Sequence, residues 1–79
     1  MIVTTEAMEI RGKEKKTSKA GSEYLIVRAE DDTGKVTELC DKDISRYDAY
    51  KKGLECKLVL DIEIGKYTNI SIVDVLPLE

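Results

Sequence analysis

The chain has 79 residues, a net charge of −3 and no histidine, and its length predicts one domain over residues 1–79. The absence of histidine excludes Ser-His-Asp and Cys-His catalytic sites and leaves a zinc site with too few ligands. A domain this small buries a modest core, so a small barrel, a small bundle or an obligate dimer is the expected architecture.

The first ten residues, MIVTTEAMEI, predict a first strand with a weak alternation of apolar and polar side chains. They lack the basic start of a signal peptide and the long apolar stretch of a membrane span. We therefore expect a cytoplasmic protein without a membrane partner.

The next segment, RGKEKKTSKAG at residues 11–21, is basic within an acidic chain and predicts a loop. Offset by Glu14, its five cations give this segment a charge of +4, so that the remainder carries −7; they are Arg11, Lys13, Lys15, Lys16 and Lys19. Such a loop can be a solvated surface, or it can contact a polyanion. The contact is the favoured hypothesis, because Tyr24 follows the cations closely.

A hairpin is predicted over residues 22–40. In SEYLIVRAE, the apolar Leu25, Val27 and Ala29 share one face and Tyr24, Ile26 and Arg28 share the other, which is the alternation of a half-buried strand. DDTG at residues 31–34 favours a tight turn, because glycine adopts positive φ without steric cost. KVTELC then returns as a third strand.

The segment DKDISRYDAYKKG predicts a short helix or a pair of turns. Ile44, Tyr47 and Tyr50 recur at three-residue spacing, Asp43 can cap the start, and Gly53 suits the end. We expect Tyr47 and Tyr50 to anchor this element onto the rest of the domain.

The stretch LECKLVLDIEI predicts a long strand with one buried face, because its apolar residues recur at every second position from Leu54 to Ile64. NISIVDVLP predicts a last strand that ends at Pro77. Cys40 and Cys56 lie among apolar neighbours and are expected to be buried free thiols, with a disulfide as the alternative.

Five short strands with a helical segment between the third and fourth predict an all-β, OB-fold-like Greek-key barrel with a short helix or turn at that point. An SH3-like barrel is the alternative, although it usually lacks the helical insertion.

AYKKGL, IGKYT and NISIVDVLP, all in the second half of the chain, resemble segments of the small single-stranded-DNA-binding protein family of filamentous phages. AYKKGL carries the Ala-Tyr and Gly-Leu of that family, IGKYT its Gly-x-aromatic hairpin tip, and NISIVDVLP its apolar last strand ending in proline. Upstream, Gly21 and Tyr24 match its Gly-x-x-Tyr. The segment EDDTGKVTELCDKD departs from the family, being shorter and more acidic.

The resemblance implies an OB-like barrel that dimerises through its last hairpin and coats single-stranded DNA during replication of a phage or other mobile element, without strong sequence preference. RNA is the alternative ligand. The residues expected to bind nucleic acid are Arg11, Lys13, Lys15, Lys16, Lys19, Tyr24, Arg28 and Tyr67. Those expected in a homodimer interface are Ile62, Ile64, Tyr67 and Ile70. For Arg28, an ion pair with Glu30 or Glu38 is the alternative role.

Two other function classes remain as hypotheses. Net acidity favours a module that binds a protein rather than a nucleic acid. The pairs Asp31–Asp32 and Asp41–Asp43 could hold Mg²⁺ in an enzyme, but the turn explains the first pair and the helix cap explains Asp43. We therefore expect no enzymatic activity, no metal and no cofactor.

Overall fold

A computed structural model describes residues 1–78 of the chain as an all-β domain, which confirms the expected fold class. The strands are β1 (Ile2–Thr4), β2 (Met8–Thr17), β3 (Glu23–Glu30), β4 (Val36–Asp41), β5 (Glu55–Ile64) and β6 (Thr68–Pro77), and a 3₁₀ helix spans Ile44–Ala49. Within residues 1–78, no helix is long and apolar enough to cross a membrane.

Five of these strands close into a barrel with the strand order of an OB fold. Antiparallel pairing joins β2 to β3 and β3 to β4, and a single parallel pair, Cys40 with Ser71, joins β4 to β6. The barrel then returns through β5, which pairs with β6 along its length and with β2 at Met8 and Glu9. The short strand β1 lies beside the far half of β5.

The first strand predicted from the sequence is divided into β1 and β2. Thr4 pairs with Val59, and Met8 pairs with Cys56. Residues 5–7 lie between the two pairs on this side and residues 57–58 on β5, so the first strand has one extra residue. Thr5 lies at the interruption, where its hydroxyl oxygen accepts a 3.0 Å hydrogen bond from the Leu58 backbone N–H. The weak alternation of these residues reflects this irregularity.

The basic segment is largely strand, so the predicted loop over residues 11–21 is wrong. Strand β2 continues to Thr17, and its residues from Gly12 onward pair one for one with β3 after a bulge at Arg11. The turn is short, with Gly21 at a φ of +87°. Lysine side chains are compatible with a strand backbone, and pairing satisfies the polar groups along this edge of β3.

The tight turn and the helical segment follow their expected chemistry. The Asp31 carboxylate accepts hydrogen bonds from the Thr33 hydroxyl at 2.6 Å and the Lys35 backbone N–H at 2.9 Å. Both bonds hold the pKa of Asp31 below its ordinary value. Gly34 adopts the expected positive φ, and Asp43 caps the 3₁₀ helix by accepting from Ser45.

The core lies between the inner faces of the barrel strands and includes the predicted face of β3. Its buried apolar residues are Ile10, Leu25, Val27, Ala29, Leu39, Tyr50, Cys56, Leu58, Leu60 and Ile72. Tyr47 packs against this cluster from the 3₁₀ helix. The expected anchoring of the helix by Tyr47 and Tyr50 is therefore confirmed.

A buried carboxylate reinforces the seam between β4 and β6. Asp41 is fully buried and accepts hydrogen bonds from the Tyr50 hydroxyl at 2.5 Å and from Nη1 of Arg46 at 2.8 Å. Nη2 of Arg46 donates to the Val73 carbonyl oxygen of β6 at 2.6 Å. Since β4 and β6 share one backbone pair, these side chains add a second polar connection across the seam. Burial and the Asp41 carboxylate both raise the pKa of Tyr50.

Candidate nucleic-acid interface

The outer face of the β2–β3–β4 sheet carries its side chains in rows that the strand register defines. Paired residues in antiparallel strands project from the same face. One row is Gly12, Arg28 and Glu38, and the next is Glu14, Ile26 and Cys40. Nearest the turn between β2 and β3, Lys16 pairs with Tyr24.

The same register separates the lysines of the basic segment onto two faces. Lys13 and Lys15 pair with the buried Val27 and Leu25, so they share the parity of the core face rather than that of Tyr24. Of the strand lysines in this segment, Lys16 lies beside Tyr24. The expectation of one cation cluster next to this tyrosine is therefore wrong, because strand pairing alternates the side chains.

Lys13 and Lys15 lie instead against Tyr47 of the 3₁₀ helix. The Lys13 ammonium is 3.9 Å from the centroid of the Tyr47 ring and donates a 2.6 Å hydrogen bond to the Tyr47 carbonyl oxygen. The Lys15 ammonium is 5.5 Å from the same centroid. Lys13 thus has a structural role that its position in a charged run did not indicate.

Tyr24 lines an open groove on the outer face of the barrel. The ring is half-buried, as expected for a residue on the outer face of β3. The groove lies between the β2–β3 turn and the end of β4, and its lining residues are Ser18, Ser22, Glu23, Tyr24, Cys40 and Lys42. Lys19 is exposed in the adjoining turn. The groove therefore combines an aromatic surface with nearby ammonium groups.

Both arginines predicted to contact nucleic acid are held by carboxylates. Arg28 forms ion pairs with Glu38 at 2.9 Å and Glu14 at 3.5 Å, which confirms the alternative role considered for it. Arg11, at the β2 bulge, pairs with Glu9 at 3.0 Å and Glu30 at 3.5 Å. Each guanidinium charge is therefore balanced locally.

The end of the sheet opposite the β2–β3 turn is acidic. A second groove is lined there by Ala7, Met8, Glu9, Glu30, Asp31, Asp32 and Glu55. The charge on this side of the barrel therefore changes from positive near Tyr24 to negative near Glu30. The pattern favours an anionic ligand at the Tyr24 end.

The β5–β6 hairpin extends beyond the barrel and presents apolar side chains. Ile62 pairs with Ile70 on the parity of the buried Leu60–Ile72 pair. Ile64 is 71% exposed, Ile70 is 42% exposed, and Tyr67 at the tip is 72% exposed. We call Ile62, Ile64, Tyr67 and Ile70 the hairpin apolar face. The register thus places Ile62, Ile64 and Ile70, three of the four residues predicted for the dimer interface, on one face of the hairpin, and Tyr67 lies in its turn.

Cys40 and Lys42 are groove residues that the sequence analysis did not assign to the site. Cys40 was expected to be buried but is partly exposed, whereas Cys56 is buried; both are free thiols. Burial raises the pKa of the Cys40 thiol, and the Lys42 ammonium opposes this effect. Lys42 follows the last residue of β4, so the register with β3 was needed to place it near Tyr24.

The carboxylate pairs considered as Mg²⁺ ligands serve other roles. Asp31 organises its turn, Asp43 caps the helix, and Asp41 is buried against Tyr50 and Arg46. Among residues 1–78, no group of three or more cysteine or carboxylate side chains is arranged to hold a metal ion.

Comparison with known proteins found no matching protein-family model, and no curated protein or solved structure is significantly similar to the chain.

Proposed function

We propose that this protein binds single-stranded DNA without strong sequence preference, and that it acts in the replication of a phage or other mobile element. The observation that carries the proposal is the Tyr24 groove, which has Lys16 beside the ring and Lys19 in the adjoining turn. OB folds bind oligonucleotides on the face of their second and third barrel strands, which correspond to β3 and β4 here.

The groove supplies the two interactions that a single strand needs. Lysines attract the phosphates, and an exposed aromatic face stacks on a base of any sequence. Net acidity does not oppose this binding, because physiological salt screens charge over about 8 Å. The acidic end of the sheet is farther away, since about seven residues of β2 separate Lys16 from Glu9, roughly 24 Å at 3.4 Å per residue.

We further propose that two copies associate through the hairpin apolar face. The face continues the inner surface of the barrel beyond its closed part, where one subunit leaves Ile64 uncovered. A two-fold dimer would cover the same patch on both subunits. Tyr67 would lie at the edge of that contact, with the Lys66 ammonium 5.7 Å from its ring centroid. We propose that Tyr67 contacts the bound strand from this position.

The direct test is binding of labelled single-stranded and duplex oligonucleotides at two salt concentrations. We expect the single strand to bind more tightly. Lys15, Lys16 and Lys19 changed together to Ala should weaken binding and make the slope of log K against log salt shallower by about 1.4, because Lys16 and Lys19 lie near Tyr24 and each phosphate contact on a single strand contributes about 0.7. Lys13 is kept because its ammonium bonds the Tyr47 carbonyl oxygen.

A matched control removes the same charge elsewhere. Lys35, Lys52 and Lys57 are exposed, and changing all three to Ala also lowers the net charge by three. This control should keep the salt slope of the unmodified chain. Equal salt slopes in the two triple variants would show that the basic segment does not contact the bound strand. Equal affinity for duplex and single strand would contradict the proposed function.

The tyrosines provide a separate prediction. Tyr24→Ala and Tyr67→Ala should each weaken single-strand binding by about tenfold, because stacking contributes roughly 1–3 kcal/mol per base. Tyr47→Ala should mainly lower thermal stability, because this ring packs against the core and Lys13. Fluorescence anisotropy and thermal unfolding measure the two effects. A larger binding defect in Tyr47→Ala than in Tyr24→Ala would refute the stacking assignment.

A protein-interaction module is the second candidate function, and the exposed hairpin apolar face favours it. In that case the face would bind a different protein rather than a second copy. A chain that is monomeric and does not bind single strands at low salt would support this alternative.

A further inference from the structure

We propose that the groove beside Tyr24 is a subsite for one nucleotide, in which Lys42 contacts a phosphate, and that the bound strand crosses β2, β3 and β4 rather than following them. This inference rests on the proposed single-strand binding and adds Lys42 and the direction of the path. It also leaves Arg28 outside the path.

The register places two lysines on opposite sides of one aromatic ring. Lys16 of β2 pairs with Tyr24 of β3. Leu25 pairs with Asp41, so the next residue, Lys42, lies across from Tyr24 on the other side. Tyr24 and Lys42 both line the groove. Neighbouring strands lie about 4.8 Å apart. The backbones of Lys16 and Lys42 are therefore roughly 10 Å apart, with the ring between them.

The groove beside Tyr24 has walls suited to a flat, polar base, and of these two lysines Lys42 belongs to its lining. Tyr24 offers a ring for stacking, and Ser18 and Ser22 line the side formed by the β2–β3 turn. A 2.8 Å hydrogen bond from the Ser18 backbone N–H to the Ser22 carbonyl oxygen holds that turn in place. A base stacked on Tyr24 would place its phosphates toward Lys16 and Lys42.

The carboxylates on the rest of the outer face disfavour a path in which the bound DNA runs parallel to the β-strands. The row that contains Arg28 carries Glu38, and Glu14 lies in the row between Arg28 and Tyr24. Both carboxylates bind the Arg28 guanidinium, so this arginine offers no unbalanced charge to a phosphate. Farther along lies the acidic groove. A polyanion that crosses the sheet at the Tyr24 end avoids these carboxylates.

The experiment compares Lys42→Ala with Lys57→Ala, an exposed lysine on β5 that removes the same charge away from the groove. Labelled oligothymidylate is the probe, titrated over a range of salt concentrations. We expect Lys42→Ala to weaken binding and to make the salt slope shallower by about 0.7, the contribution of one phosphate. Lys57→Ala should retain the affinity and slope of the unmodified chain.

A second measurement on the unmodified chain uses the thiols. Cys40 lines the groove and is partly exposed, whereas Cys56 is buried. Oligothymidylate should slow the alkylation of Cys40, and Cys56 should stay unreactive in the folded chain with or without the probe.

The outcomes separate the inference from the function on which it rests. If the unmodified chain binds oligothymidylate but Lys42→Ala matches Lys57→Ala and Cys40 alkylation is unchanged, the subsite is refuted while single-strand binding stands. If the unmodified chain does not bind the probe at all, the proposed function fails, and the subsite fails with it.

Discussion

Asp41→Ala is expected to lower the free energy of unfolding by about 3–5 kcal/mol, the usual cost of removing one partner from a buried ion pair. Asp41 is fully buried and accepts hydrogen bonds from Tyr50, Arg46 and the backbone N–H of Asp43. The substitution leaves a buried hydroxyl and a half-buried guanidinium without their acceptor. It also breaks the link that Arg46 makes between Asp41 of β4 and the Val73 carbonyl oxygen of β6.

A loss of this size is a large part of the stability of a small domain, which is typically about 5–15 kcal/mol. Urea denaturation followed by circular dichroism measures the difference. Asp43→Ala is the matched control, because it removes a carboxylate two residues away that caps the helix and should cost about 1 kcal/mol.

If Asp41→Ala does not fold, the same comparison can be made with asparagine substitutions at the two positions. Asp41→Asn keeps the shape of the side chain but removes its charge, and it should still destabilise the domain more than Asp43→Asn. If substitutions at the two positions lowered the free energy of unfolding equally, the β4–β6 seam would be held by the backbone and core rather than by the buried carboxylate.

Ile64→Asp is expected to convert the proposed dimer into a monomer. The chain mass is 8.9 kDa, and sedimentation of the unmodified protein at micromolar concentration should give about twice that mass. Ile64 is 71% exposed in one subunit, so the substitution should cost the isolated fold little. In a dimer, two carboxylates would be buried near the symmetry axis without partners, at a cost of several kcal/mol.

Val36→Asp is the control for this experiment. Val36 is also an exposed apolar residue, but it begins β4 at the acidic end of the sheet. This variant should sediment as a dimer. A monomeric unmodified chain would refute the dimer, and a dimer that survives Ile64→Asp would place the interface away from the hairpin.

Much of the fold could be predicted from local patterns. Alternation in residues 23–30 identified Leu25, Val27 and Ala29 as core and Tyr24 as an outer residue. Asp31 and Gly34 marked a turn, and Asp43 marked a helix start. Each of these features depends on side chains and backbone within a few residues of one another, so each can be predicted from the local sequence.

The basic segment shows where the local pattern was misleading. A run of lysines resembles a solvated loop, but whether it is a loop or a strand depended on β3, whose edge pairs with it. The same pairing directed Lys13 toward Tyr47 and Lys16 toward Tyr24. Net charge along the chain therefore predicted that cations would be present, but not the face on which each would lie.

By itself, the sequence determined the fold class, the core face of β3, and the turn and cap residues, because alternation, positive φ and capping are local properties. Tertiary structure alone decided that Asp41 is buried at the β4–β6 seam and that Lys42 lines the Tyr24 groove. Both positions depend on which strands are neighbours and in what register they pair. That choice is made by contacts between residues far apart in the chain, such as Cys40 with Ser71.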